Sequence, residues 1–186
     1  MKELVILLEE PSAKEVLDII IPKIAPELIY RCFYFQGKQD LEKNITRKLK
    51  GYQNPDACFL IIRDKDAGDC IKIKEDLLNK CRDSGKKKYK VRIMCHELET
   101  IYLADLKAVE QGLKIKNLVS LQEKKLYRQP DLFPNPKKTL KELAIKHNGF
   151  YSDIAGSRAI APYLDLNNKR SSCFFNLINA IKELSV

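Results

Sequence analysis

The sequence predicts an α/β fold: a four-stranded, mainly parallel sheet flanked by helices, with a helical C-terminal extension. Three observations lead there. Short apolar runs alternate with stretches of helical period through residues 1–115, the order expected of βαβ units. The run Ala57–Ile62 is almost wholly apolar, as in a strand buried on both faces of a parallel sheet. Beyond about Lys116 no further apolar strand occurs, and Pro130, Pro134 and Pro136 interrupt the pattern.

Leu4–Leu8 is the first strand and ends in Glu9-Glu10. Pro11 and Ser12 start a helix; Ser12 is the expected N-cap, with Glu15 three places on in capping-box spacing. Val16, Leu17, Ile20 and Ile24 form its apolar stripe. Leu28–Phe35 is the second strand, with Gly37 at its exit, and Leu41, Ile45 and Leu49 mark a helix ending near Gly51. The third strand runs into Arg63-Asp64-Lys65-Asp66. A helix from about Asp69 to Asp83 follows, with Ile73, Leu77 and Leu78 inward. Lys90–Cys95 is the fourth strand, and His96 is expected to open another helix. Leu140–Lys146, Ile154–Leu164 and Ser171–Leu184 read as short helices of the extension, residues 116–186, packed on the sheet domain as one compact unit.

Composition narrows the function classes. Thirty-four basic residues against 25 acidic give a formal charge of +9 and a pI near 9.2, which fits a polyanionic partner or a solvated basic surface equally. There is no tryptophan and only 8% of residues are aromatic, so a stacking platform for single strands is not evident. None of the six cysteines has Cys-x-x-Cys spacing and only His96 and His147 are histidines, which argues against a zinc cluster. Cys58 and Cys95 are expected as small core residues. The opening Met1-Lys2-Glu3-Leu4 does not resemble a secretory leader, and no apolar run reaches membrane-span length. A reducing cytoplasm is the expected home.

Chemistry is expected where the strands end, because open α/β sheets bind ligands at their carboxyl edge. Alternation sends Asp64 and Asp66 to one side and Lys65 to the other. Parallel strands bring Glu9 and Glu10 to that same edge. Clustered carboxylates repel unless a cation or proton intervenes, and magnesium is the simplest cation. The alternative is acids favoured at helix N-termini by the backbone dipole. Glu97, in Cys95-His96-Glu97-Leu98-Glu99, is placed to project from the same edge, while Glu99 is as readily a first-turn acid of an amphipathic helix. Position 100 is threonine, so a zinc-protease helix is absent. Gly37-Lys38-Gln39-Asp40 offers free amides and a lysine for phosphate, and Arg158 in Gly156-Ser157-Arg158 is a second candidate phosphate clamp.

Taken together, Leu7–Ser12, Gly37–Leu41, Arg63–Cys70, Glu97–Asp105, Gly156–Ala161 and the helix Ser172–Leu184 resemble the bacterial domain-of-unknown-function family 4276, over essentially the whole chain. That family looks related to Toprim domains of topoisomerases, primases and nucleases of the overcoming-lysogenisation-defect type. The resemblance implies a Toprim-like fold, with Glu9 as the glutamate after the first strand and Asp64 and Asp66 as the paired aspartates that bind magnesium or manganese. It departs from the Toprim pattern at Glu10-Pro11, where glycine is usual, and from the family's own pattern at His96, where arginine is expected. It implies a metal-dependent nuclease in which Glu10 or Glu97 completes the shell or acts as general base. Lys38 and Arg158 would position a nucleic-acid backbone. A partner ATPase in defence against phage is also implied, since the sequence has no phosphate loop of its own. The alternatives are a non-catalytic nucleic-acid-binding or regulatory subunit and a plain interaction module.

Overall fold

The computed structural model describes residues 3–185; the reading of Met1-Lys2 lies outside them. Four parallel strands, β1 (Glu3–Leu8), β2 (Tyr30–Tyr34), β3 (Ala57–Asp64) and β4 (Tyr89–Met94), form one sheet in the order β2-β1-β3-β4. Helices α1 (Pro11–Ile24), α2 (Lys38–Lys50) and α3 (Cys70–Asp83) make the crossovers. The sheet domain ends in α4 (Thr100–Leu103) and α5 (Leu106–Leu113). The extension supplies α6 (Pro136–Lys146), α7 (Asp153–Ile160) and α8 (Ser172–Ser185). The expected α/β sheet with its helical extension is therefore present. Among the described residues, no helix is long and apolar enough to cross a membrane.

Strand alternation splits the core in two. Val5, Leu7, Phe59, Ile61 and Val91 face α2 and α3, where Leu41, Ile45, Leu49, Leu77 and Cys81 close over them. Leu4, Ile6, Leu8, Leu60 and Met94 face the other way, and that core continues through Leu140, Ile160, Phe174 and Ile181. The extension therefore completes one face of the sheet, because α1 alone cannot cover it. Register sets the edge: Leu8 pairs with Ile62 and Asp64 with Met94, so the ends of β1, β3 and β4 lie level.

Several local expectations are corrected. Helix α1 does not use Ser12 as its cap; Glu10 occupies that position without a side-chain cap bond, and the Ser12 hydroxyl donates to Glu10 Oε2 at 3.3 Å. Glu15 faces Arg158 instead of closing a capping box. His96 opens no helix: its φ of 62° places it in a turn, and α4 begins only at Thr100. Cys95 is no core cysteine; it lies just past β4 and forms a disulfide with Cys173 at the start of α8. The α3 N-cap is Asp69, whose carboxylate accepts from the Ile71 and Lys72 amides at 2.8 and 3.2 Å.

Candidate metal centre

β1 and β3 are neighbours, so Glu9 and Asp64 leave the sheet side by side. Glu9 Oε2 accepts the Asp64 amide at 3.1 Å. Asp64 is the last residue of β3 and partly buried, and among the described residues its carboxylate accepts no hydrogen bond. Burial drives its pKa well above the usual aspartate value, and Glu9, Glu99, Glu10 and Asp66 push it further. Glu9 is raised as well, first by burial and then by Asp66 and Glu10, against the Asp64 amide and Arg63. Arg63 is itself buried but turned away: its guanidinium donates to Glu42 Oε1 at 2.7 Å and to the Asp64 carbonyl at 2.6 Å.

Asp66 does not continue the strand. Its φ of 52° ends the alternation at Lys65, and its amide donates to the His96 carbonyl at 2.9 Å. The β3 and β4 exits are thus tied by their backbones. The Asp66 carboxylate sits 2.8 Å from Lys38 Nζ, with both side chains substantially exposed. Lys38 thereby holds its proton more firmly, through the hydrogen bond to Asp66.

Glu99 is the residue that sequence reasoning undervalued. It is 1% exposed. Its Oε1 accepts the Tyr151 hydroxyl at 2.9 Å, and its Oε2 is buried without a hydrogen-bond partner. Burial pushes its pKa up to about 7, against Lys137 and the Tyr151 hydroxyl. Lys137, one position inside α6, reaches Asp153 at 3.2 Å, Glu10 at 3.5 Å and Glu99 at 3.8 Å. Burial alone would lower the Lys137 ammonium, yet Glu99, Glu10 and Asp153 together hold its pKa above the ordinary lysine value. The Tyr151 ring lies against Gly156, where a Cβ would come within 2.4 Å of it. Tyr102, in edge contact with Tyr151 at 6.0 Å between centroids, donates to the buried Ser157 hydroxyl at 2.7 Å. Gly156 and Ser157 therefore serve this buried network, and the glycine in that motif was its one visible sign in the sequence.

The other expected site residues stand apart from it. Glu97 Oε2 accepts the Lys137 amide at 2.9 Å, so it satisfies the start of α6. Arg158 makes a two-point ion pair with Glu15 at 2.8 and 3.0 Å. Asp105, at the end of the Glu97–Asp105 stretch though not itself an expected site residue, caps α5 through the Ala108 amide and also accepts the Asp165 amide at 2.8 Å.

The donor set at the edge suits a hard divalent cation, which takes carboxylate oxygens, and among the described residues no donor competes for the Asp64 carboxylate. The oxygens are not yet gathered. Among the described residues, the only trio of potential ligand atoms within 4.8 Å of one another is Cys95, Asp131 and Cys173. Two of those are spent in the disulfide. The Glu9, Asp64 and Asp66 oxygens are not among them, and Asp66 is paired with Lys38.

Comparison with protein-family models matches residues 8–182 to the family described as Domain of unknown function (DUF4276). The chain belongs to that family. No curated protein and no solved structure matches it. The match covers the whole sheet edge from Glu9 to Glu99 together with α6 and α7, so every residue of the acidic cluster lies within the family region.

Proposed function

We propose that the acidic edge is a magnesium-dependent phosphodiester-hydrolase centre of Toprim type, acting as a nuclease. The observation that carries this reading is the buried Asp64 carboxylate, raised by the charges of Glu9, Glu99, Glu10 and Asp66, beside Glu9, whose carboxylate accepts the Asp64 amide. Such an arrangement is costly without a cation, and costly electrostatics cluster at functional sites. Glu9, Asp64 and Asp66 would hold magnesium or manganese, which supplies an activated water and neutralises charge on a scissile phosphate. Glu99, with its pKa near 7, is suited to accept or return a proton at neutral pH. Lys137 offers the phosphate a fixed positive charge, and Lys38 gains a phosphate partner when Asp66 turns inward. The 34 basic against 25 acidic residues are compatible with a polyanionic substrate. Glu97 and Arg158 are engaged with the Lys137 amide and Glu15, and the reading assigns them no step. On the family resemblance we extend the proposal to a cytoplasmic role beside a partner ATPase in defence against phage.

A second reading has its own support. Lys38 and Lys137 already supply cations to Asp66, Glu10 and Glu99, as in a metal-free nucleic-acid-binding or regulatory subunit. Cleavage of plasmid and single-stranded DNA at millimolar magnesium separates the two. The hydrolase reading expects cutting by the native chain and none by the Asp64→Ala, Asp66→Ala double variant. Cutting retained in that variant contradicts it. Salt-sensitive binding without cutting at any metal concentration supports the regulatory subunit.

A further inference from the structure

Helix α6 lays Lys137, Lys141 and Ile145 along one stripe at successive i, i+4 positions, about one turn apart. Their exposure rises outward, from 23% and 44% for the two lysine side chains to 67% for Ile145. The stripe therefore runs from the acidic cluster, where Lys137 touches Glu10 and Glu99, out to solvent. It ends at a cavity of about 370 Å3 lined by Lys141, Ile145, Phe150, Tyr151, Ser152 and Asp153. Tyr151 ties this cavity to the catalytic edge, since its hydroxyl donates to Glu99. Asp153, the one acid of the lining, lies 3.2 Å from both lysine ammonium groups and keeps them beside the cavity.

Phe150 stands at its rim and is 75% exposed. The backbone presenting it is fixed. Asn148 is left-handed with φ 58°, the Gly149 amide donates to the Ala144 carbonyl at 2.8 Å, and a Cβ on Gly149 would come within 2.3 Å of Ile115. A large apolar ring presented to water from a fixed backbone, with a lysine in the same cavity lining, is an arrangement by which proteins grip single strands: cations follow the backbone and aromatic rings stack the bases.

We infer that this cavity is a stacking site for an unpaired nucleobase of single-stranded nucleic acid, with Phe150 as the platform and Lys141 on the adjoining phosphate. The inference rests on the phosphodiester reading for its substrate class and adds strandedness to it, since a base paired within a duplex cannot enter the cavity.

Fluorescence anisotropy with short labelled DNA and RNA oligonucleotides, in the presence of EDTA, tests it without cleavage. The exposed Phe150→Ala variant should bind single strands about tenfold more weakly. Phe150→Leu should show the same loss and Phe150→Trp little or none, while binding of the matching duplex stays unchanged. The DNA and RNA arms identify which polymer supplies the base. Unchanged affinity in Phe150→Ala, native affinity in Phe150→Leu, or no single-strand binding by the native chain would each overturn the site. Failure here remains distinct from failure of the hydrolase reading. Native cutting with unaltered Phe150→Ala affinity removes only the stacking site, whereas these losses without any magnesium-dependent cutting remove only the hydrolase.

Discussion

The exits of β3 and β4 lie side by side, and each turns on a residue with positive φ, Asp66 at 52° and His96 at 62°. They put their acids to opposite uses. After β3, Asp66 faces solvent and meets an exposed lysine from the start of α2. After β4, the chain folds back to bury Glu99 beneath Tyr151 and Lys137. The difference comes from what covers each turn. Lys137 of α6 and Tyr151, just before α7, cover the acid after β4, while Lys38 pairs with the acid after β3. A carboxylate at this edge is therefore solvent-facing and ion-paired on one side, and buried with a raised pKa on the other.

The largest effect that would sharpen this contrast is on turnover. Removing both Asp64 and Asp66 should cut metal-dependent cleavage at least about a hundredfold, measured as initial rates on a plasmid. A smaller but still large effect is expected on the covered side. Gly156→Ala drives a methyl group into the Tyr151 ring and should destabilise the fold by about 1–3 kcal/mol, measured by urea unfolding. An unchanged midpoint would mean that Tyr151 is not held as described.

Glu99 gives the contrast a pH signature. Its folded pKa of about 7 lies above the ordinary value of 4.5, so the folded state binds more protons between them. Its contribution to stability is thus fully present below about 4.5 and is lost as pH rises through about 7. The raised pKa values of Glu9 and Asp64 act in the same direction, whereas the lowered Asp153 acts oppositely, losing its contribution as pH falls into the acid range. Glu99→Gln should flatten part of the decline between pH 5 and 8, by roughly 1–3 kcal/mol. An identical slope in that variant would place the proton elsewhere. The smallest effect belongs to the open side. Lys38→Ala should change metal-free stability by less than about 1 kcal/mol, because the pair is exposed, yet it should tighten magnesium binding measured by calorimetry by freeing Asp66.

The sequence made the sheet legible because strands buried on both faces carry unbroken apolar runs, as Leu4–Leu8 and Ala57–Ile62 do. It also made Glu9 and Asp64 legible, since a buried strand can release carboxylates only at its ends. Glu99 was not legible in the same way. Its burial depends on Lys137 in α6 and Tyr151 in the loop before α7, 38 and 52 positions later, and a short acidic segment carries no mark of what will cover it. Gly156-Ser157-Arg158 stood out as a motif, but its arginine drew the eye while the close contact was made by its glycine. The Cys95–Cys173 bond spans 78 positions and has no local spacing to announce it. Asp66 was misplaced for a simpler reason: strand alternation was extended one residue past the point where the backbone turns.

Thermal unfolding of the native chain and of Asp64→Asn, each with and without millimolar magnesium, probes the repulsion at the centre of this account. The native chain should melt higher in magnesium, since binding to the folded state stabilises it. Asp64→Asn, relieved of one crowded charge, should melt roughly 2–8 °C above the native chain in the absence of metal and respond little to magnesium. A native chain indifferent to magnesium, together with a variant that melts lower, would contradict a cation site at Asp64.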